Sequence, residues 1–448
     1  MILDKNYDLN MFGRVADPRD VFMLFKERVS TLQTPLKIKI HKPFKYLCYS
    51  NLRATDIDFS VNGKGPTELI AIVSAYAEFI ERFSAFAESW HETMGGLNLL
   101  RQSTEQRELF GKIFDHSYLK DVRTGRQKAF ENPVDIKFLM QNSGFSDRQI
   151  ELIKEKSVFT RTWVPAKAIF ENDKEYYVPV HLVKLINGTN GLSTGVTLTE
   201  AIMHGVFEVL ERYVTLEFLR RRQNIPTIDP TTINDEKIQA SLEYFKENDI
   251  EVILKDFSLN LKIPAIGILT FNKKLNPNHR AYNTLKVGVA TTGKNAIVRA
   301  LTERLQGTSF AEERLLGEST EEEKDYALKE LLNYGRLSIN LDNYRNGDVT
   351  PFKDWYYRNT KDVFILIKKI IKKLNTKLFI INYTHKLLKI PVVQIIIPTI
   401  SDTMDLFTGS SRSLSHLGGV DEPLLRIEKN IGKLYETFFE VGSNDKKF

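Results

Sequence analysis

Two segments far apart in the chain repeat one pattern: Glu, two apolar residues, Glu, Arg, aromatic. They are Glu78-Phe79-Ile80-Glu81-Arg82-Phe83 and Glu208-Val209-Leu210-Glu211-Arg212-Tyr213. Each follows a glycine-containing segment by a similar distance, Asn62-Gly63-Lys64-Gly65 before the first and Asn190-Gly191 with Gly195 before the second. Both glycine segments read as turns that lead into helices. At about 100° of rotation per residue, Ser74, Glu78, Glu81 and Arg82 fall within roughly a third of one helix's circumference. Ile72, Val73, Phe79, Ile80 and Phe83 lie mostly elsewhere and are expected in the core. On the second helix Glu200, His204, Glu208, Glu211 and Arg212 share an arc of about 120° by the same count. A third helix places Arg299, Glu303 and Gln306 on one face. Any fold this chain adopts must seat three such polar stripes.

The rest of the chain alternates strand-like runs with long amphipathic ones, which predicts an α/β or α+β fold with mixed sheets. Strands are expected at Leu36 to Ile40, Tyr176 to Ile186, Ile250 to Leu254, Ala265 to Thr270, Leu378 to Asn382 and Val392 to Ile397, where β-branched and aromatic residues concentrate. Helices are expected over Thr67 to Trp90, Thr199 to Arg221, Ile233 to Asn248 and Lys294 to Leu315. Short helices are expected within Pro133 to Lys156. No Gly/Ser- or Pro-rich linker cuts the 448 residues, so one large unit is favoured. It divides into a lead-in over 1–60, a core over 61–400 with an insertion near 97–170, and a C-terminal segment over 401–448.

A single polar stripe is ambiguous. Glu and Arg three or four residues apart form ordinary surface pairs worth about 0.2–0.5 kcal/mol. The repetition argues against that reading, because a solvated face has no reason to keep both glutamates twice. If the stripes converge, four or five carboxylates repel one another in a partly desolvated site and need cations. Mg²⁺ suits them, being a hard ion held by carboxylates and substrate phosphates, and the flanking Arg and Lys side chains suit the remaining phosphate oxygens. Convergent carboxylates with guanidinium groups therefore point to a nucleoside triphosphate. The phosphates would be held by side chains and metal, since neither Gly63-Lys64-Gly65 nor Gly293-Lys294-Asn295 completes a phosphate-binding loop. Lys64, read as a turn residue before a helix, either meets an anion there or is an ordinary turn lysine. His204 reads equally as a site residue or as a packed, hydrogen-bonded structural histidine.

Other chemistries find little support. Cys48 is the only cysteine, which excludes an intramolecular disulfide and fits a cytoplasmic setting; it reads as a small buried hydrophobe. There is no His-Glu-x-x-His motif, and Gly409-Ser410-Ser411-Arg412-Ser413 is not a nucleophile elbow. The net charge of +6 is mild and the charges are mixed, so nucleic-acid binding is not indicated. The lysines from Lys368 to Lys377 break the most apolar tract, so no membrane span is expected. Their helical spacing reads as a solvated helix face or as a basic patch for a polyanion or partner. The N-terminal residues do not read as a secretory signal.

Taken together these residues resemble the YcaO family. The matching positions are Asn62-Gly63-Lys64-Gly65 with Ser74, Glu78, Glu81 and Arg82; then Asn190-Gly191 with Thr197, Glu200, Glu208, Glu211, Arg212 and Tyr213; then Glu303 with Gln306. Val393 to Pro398 with Ser401-Asp402 resembles the family's final strand. The likeness covers most of the chain in order and is nearest to the stand-alone bacterial branch.

The resemblance implies an ATP- and Mg²⁺-dependent fold in which a peptide backbone amide is phosphorylated and then attacked by a nucleophile. A Cys, Ser or Thr side chain gives an azoline, sulfide a thioamide, an amine an amidine. It implies that Glu78, Glu81, Glu208, Glu211 and Glu303 hold Mg²⁺ and the triphosphate. Ser74, Arg82, Glu200, Arg212 and Gln306 then complete the nucleotide site, and Arg14 takes the place of that branch's N-terminal phosphate-binding Lys. Val196 stands where the branch has Asn, so a polar contact would have to come from elsewhere, such as Thr197 or Thr194. The ending Ser443 to Phe448 differs from the Pro-rich tail of azoline-forming members, and the chain has no room for their fused peptide-binding domain; both favour thioamide formation. The implied partners are a peptide or protein substrate, a TfuA-like or ThiF-like protein and a second copy of the chain. A non-catalytic ATP-binding accessory factor and an ATP-independent scaffold are the competing readings.

Overall fold

A computed structural model describes residues 3, 5–55, 59–89, 123–141, 147–156, 160–221, 225–277, 279, 281–306 and 345–401. The fold is α+β. Helix α1 (Pro18–Ser30) precedes strands β1 (Leu36–Phe44), β2 (Leu47–Ala54) and β3 (Phe59–Gly65), an antiparallel sheet covered by α2 (Glu68–Ser89). A second sheet is built from β4 (Arg123–Thr124), β5 (Thr162–Ala168), β6 (Lys174–Pro179) and β7 (Leu192–Thr194), joined later by β13 (Phe379–Asn382) and β14 (Val392–Ile396). Short helices α3 (Ile136–Leu139), α4 (Asp147–Lys156) and α5 (Val180–Asn187) flank its early strands, and α6 (Leu198–Arg221) follows β7. The third sheet has the order β11 (Asn283–Val289), β10 (Ala265–Asn272), β9 (Ile250–Asp256), β8 (Thr227–Asp229), β12 (Val349–Pro351), with α7 (Glu236–Glu247), α8 (Gly293–Arg304) and α9 (Thr360–Lys373) between or after its strands. Among the described residues no helix is long and apolar enough to cross a membrane.

One expected strand is half helix. Tyr176 to Ile186 divides at Pro179, after which Val180, Val183 and Ile186 fall at helical spacing and are buried. A proline donates no N–H, so it closes a strand and sits well at a helix start. A second correction concerns Lys64. Asn62 to Gly65 is not a turn but the end of β3, with Lys64 paired to Tyr49. Its glycines serve packing: a Cβ on Gly63 would lie 2.1 Å from the Ala71 carbonyl oxygen and 2.3 Å from the Ala75 nitrogen of α2. The third carboxylate helix is shorter than expected, α8 ending at Arg304, and the remainder of Lys294 to Leu315 beyond 306 lies outside the described residues.

Three strand–helix units share one construction. β3 leads to α2, β7 to α6 and β11 to α8, and each helix is capped by threonine. The Oγ atoms of Thr67, Thr197 and Thr292 accept from Ile70, Glu200 and Asn295 N–H at 3.3, 3.1 and 3.0 Å, meeting one of the donors a helix start leaves unpaired. Four residues before each cap stands a small residue, Gly63, Ser193 or Gly288; four and eight residues after it stand Ala71 and Ala75, Ala201 and Gly205, Ala296 and Ala300. Helix and strand backbones therefore pack almost in contact. A Cβ on Gly288 would lie 2.2 Å from the Ala296 carbonyl oxygen, and the Ser193 hydroxyl donates to the Ala201 carbonyl at 2.7 Å. The functional residues keep the same count. Glu78, Glu208 and Glu303 are eleven residues past their caps (67 to 78, 197 to 208, 292 to 303), and Glu81, Glu211 and Gln306 are fourteen past them.

Candidate active site

The three polar stripes converge. Glu208 of α6 adds to the raised pKa of Glu81 on α2, and Arg82 of α2 pulls against the raised pKa of Glu208, which requires proximity across two helices. Arg299 of α8 reaches Glu211 of α6 at 3.4 Å. Lys64 of β3 contacts Glu303 of α8, whose other carboxylate oxygen lies 3.6 Å from the Lys286 ammonium on β11. Arg82 lies 3.7 Å from both Glu78 and Glu81. Ser74 stands one turn before Glu78, and Gln306 lies just past the C-cap of α8; both are half-buried.

The N-terminal loop closes one end of the cleft. Asn10 gathers it by accepting from the Phe12 and Arg14 N–H groups at 2.9 and 3.0 Å and donating to the Ala16 carbonyl. Gly13, at φ +70°, presses on Thr291 so closely that a side chain would strike it. Arg14 is thereby set against the His204 ring and 3.9 Å from Glu200. Glu200 is buried, with its carboxylate oxygens accepting from Val196 and Val15 N–H at 2.9 and 3.4 Å. It thus fastens the start of α6 to the loop. The hydroxyls of Thr197 and Thr194 are committed within the fold, the first to the helix cap and the second to the Pro391 carbonyl at 2.8 Å.

Electrostatics follow from burying like charges together. Burial raises Glu208 to about 7, against the pull of Arg212 and Arg82 and with the help of Glu211. Burial also lifts Glu81 well above the carboxylate range, with Glu208 and Glu78 adding to it and Arg82 opposing. Glu78 is raised by burial, against Arg82 and Lys64. On the basic side burial lowers Arg14 to about 10, and burial with Arg299 close by lowers Lys64 to about 8 despite its contact with Glu303. Lys286 falls well below its usual value, through burial first and then Lys64 and Arg212. His204 is held neutral by burial and by Arg14.

These residues fit a metal-bound polyphosphate. Glu81 and Glu208 bear a burial cost that a divalent cation would relieve. The Arg299 Nε is buried with no hydrogen-bond partner among the described residues, a donor suited to a phosphate oxygen. As the side chains stand, no three acidic, His or Cys groups among the described residues close on one point; Glu78, Glu211 and Glu303 are turned to the protein's own cations.

Two cleft residues were not among the expected ligands. The sequence places Arg299 on the third stripe without assigning it a role. Lys286 carries no helical pattern to mark it, although it is the lone lysine in Asn283-Thr284-Leu285-Lys286-Val287-Gly288-Val289, a strand otherwise buried throughout, where a charge is costly unless it is paired.

The sequence profile of the YcaO family, described as a cyclodehydratase binding ATP and Mg²⁺, matches residues 62–401. A curated relative, the ribosomal protein S12 methylthiotransferase accessory factor YcaO of Escherichia coli, is 26% identical over 377 residues, covering 80% of this chain and 60% of the relative. The chain thus spans little more than half the length of such relatives. Among solved structures, YcaO from Methanopyrus kandleri bound with AMPPCP and Mg²⁺ is similar with a TM-score of 0.56 at 16% identity, over 87% of this chain and 92% of the other. A heterocyclase in complex with substrate and cofactor gives 0.60 at 14% identity, over 86% and 53%. With the profile covering all three strand–helix units, this chain belongs to the YcaO family, whose cofactors are ATP and Mg²⁺.

Proposed function

We propose that the cleft binds Mg·ATP and activates a peptide backbone amide. The observation that carries this reading is the pair Glu81 and Glu208, contributed by separate helices, both raised above the usual carboxylate range chiefly by burial despite the arginines around them. In this reading Glu78, Glu81, Glu208 and Glu211 hold the metal. Lys64 and Lys286, kept in place by Glu303, turn to the phosphate oxygens together with Arg14, Arg212 and the orphaned Arg299 Nε. Ser74, Arg82, Glu200, His204 and Gln306 complete the pocket, Arg82 by balancing Glu78 and Glu81. Mg·ATP supplies the phosphoryl group that makes the amide oxygen a leaving group. Exclusion of water by the buried stripes protects that step from simple hydrolysis.

Sulfur, where it is the nucleophile, must arrive from outside the cleft, because the one cysteine, Cys48, is buried in β2. Thioamide formation from sulfide is the favoured outcome, and azoline formation from a side chain of the peptide is the alternative. A non-catalytic accessory role is a second reading, motivated by the name of the Escherichia coli relative. The test uses peptides encoded beside the gene, carrying heavy oxygen in the backbone amides. Transfer of label to released phosphate is expected, with exchange of oxygen for sulfur in the peptide when sulfide is supplied. Mg·AMPPCP binding without any peptide-dependent phosphate release would overturn the catalytic reading in favour of the accessory one.

A further inference from the structure

Away from the carboxylate cleft lies a groove of about 540 Å³, walled by α9, by Asn260 to Lys262 in the β9–β10 connection and by Tyr356-Tyr357. Its α9 wall is the lysine-rich helix that the cleft does not use. Ile365, Lys369 and Lys373 follow at four-residue spacing, so they line one stripe. Ile365 is 45% exposed and Tyr356 58% exposed, while Leu261, Leu366 and Ile370 form a buried aliphatic floor. The lysines outnumber the single acid, Asp362, which already accepts from Asn359 Nδ2 at 2.9 Å. Among the described residues Lys262 and Lys369 make no ion pair, and Lys373 donates only to the Asn260 carbonyl.

The opposite wall is strained. Leu259, Asn260 and Lys262 have φ of 48°, 60° and 58°, a left-handed conformation that side chains other than glycine adopt at a cost and that gathers where a ligand is clamped. The loop is pinned in that shape: Tyr357 donates its hydroxyl to the Lys262 carbonyl at 2.8 Å, and Lys373 reaches across to Asn260. The tyrosine strap is also wired to the cleft. Tyr357 N–H donates to the Thr291 carbonyl at 3.0 Å and Gly293 N–H to the Trp355 carbonyl at 3.1 Å, at the start of α8. Leu9 N–H donates to the Arg358 carbonyl at 2.8 Å, in the segment that leads to Arg14.

We infer that this groove binds an acidic peptide segment carrying a bulky apolar side chain, a recognition element of the substrate separate from the amide that reacts. The lysine rim supplies charge complementarity and the aliphatic floor a socket for the side chain. A nucleic acid fits less well. Base stacking needs free aromatic faces, whereas Arg358 lies over the Tyr356 ring, 5.5 Å from its centroid, and the floor is aliphatic. The role in substrate capture rests on the reading of the chain as a peptide-acting protein; the binding itself requires no nucleotide.

The test is fluorescence anisotropy with the full-length chain and dye-labelled peptides of about ten residues, with aspartate and glutamate surrounding one leucine or phenylalanine. Saturable binding is expected. The double variant Lys369→Glu/Lys373→Glu and, separately, Ile365→Asp should weaken it about tenfold or more. All are exposed positions, so the fold is expected to survive. The same variants should bind Mg·AMPPCP as the wild type does, and Glu208→Gln should bind the peptide normally. Absence of saturable binding, equal binding of a lysine-rich control peptide, or unchanged affinity in both variants would overturn the inference. So would displacement of the peptide by an RNA oligonucleotide at lower concentration than by unlabelled peptide, or a change of oligomeric state in the groove variants. Wild-type chain that binds the peptide but not Mg·AMPPCP would instead overturn the proposed function and leave the groove standing.

Discussion

The first two strand–helix units and the third share a frame but not a charge plan. Eleven and fourteen residues past their caps, α2 and α6 present Glu78 with Glu81 and Glu208 with Glu211, each pair followed by an arginine. At the same positions the third unit presents Glu303 and Gln306, and seven past the cap it places Arg299 where the others have Ser74 and His204. The outcome differs accordingly. Glu81 and Glu208 are crowded acids with raised pKa values, whereas Glu303 is shared by Lys64 and Lys286. On the proposed reading one backbone geometry serves two jobs, a metal side and a phosphate side, by a change of side chains at fixed offsets. The lesson is that position along a capped helix sets where a group points, while its neighbours set what it can bind.

The comparison breaks first at Glu208. Glu208→Gln removes a charge from the metal side and should weaken Mg·AMPPCP binding about a hundredfold or more by calorimetry; retained affinity would remove that side altogether. The shared frame is tested next through the small residues under the helices. Gly63→Ala and Gly288→Ala drive a Cβ into helix backbone and should each cost about 2–3 kcal/mol in urea unfolding. Ser193→Ala, at the equivalent place in the second unit, loses one hydrogen bond and should cost about 1 kcal/mol. Equal effects at all three would contradict the packing described.

A pH series sharpens the metal side. Glu208 is raised from 4.5 to about 7, so its contribution to stability is fully present below the unfolded value and is lost as pH rises through about 7. The unliganded protein should therefore melt lower at pH 8 than at pH 6 as far as this group is concerned. Because Mg²⁺ needs the carboxylate, its affinity should fall about tenfold per pH unit below 7. Proton uptake on metal binding, in place of release, would contradict this. The smallest effect separates the two sides directly. Glu78→Gln should raise the Mg²⁺ requirement about tenfold, while Glu303→Gln should leave it near the wild type and weaken nucleotide binding a few-fold. If Glu303→Gln shifts the Mg²⁺ requirement as much as Glu78→Gln, Glu303 is a metal ligand and the division between the units fails.

Much of the cleft was legible because helical periodicity turns spacing into direction: the two Glu-x-x-Glu-Arg copies had to show their charges on one stripe each. Lys286 was harder to find because a strand lysine has no periodic partner, and its role depends on Glu303 arriving from another element. Lys64 reads from the sequence as a turn residue because glycine on both sides of it usually signals a bend. Here those glycines answer a close approach by α2 that no local pattern reveals. The helix at Val180–Asn187 was missed for a related reason, since a short apolar run is compatible with either state until its neighbours pack.

The sequence by itself determined that this chain would carry three polar helical stripes in a mixed α/β or α+β fold, because helical and strand periodicity act over a few residues. Only the tertiary structure decided that Glu81 would face Glu208, that Arg299 would cross to Glu211 and that two lysines would share Glu303. Such pairings depend on which backbones pack against which, and charge acquires its meaning from burial and neighbours that lie far away in the chain.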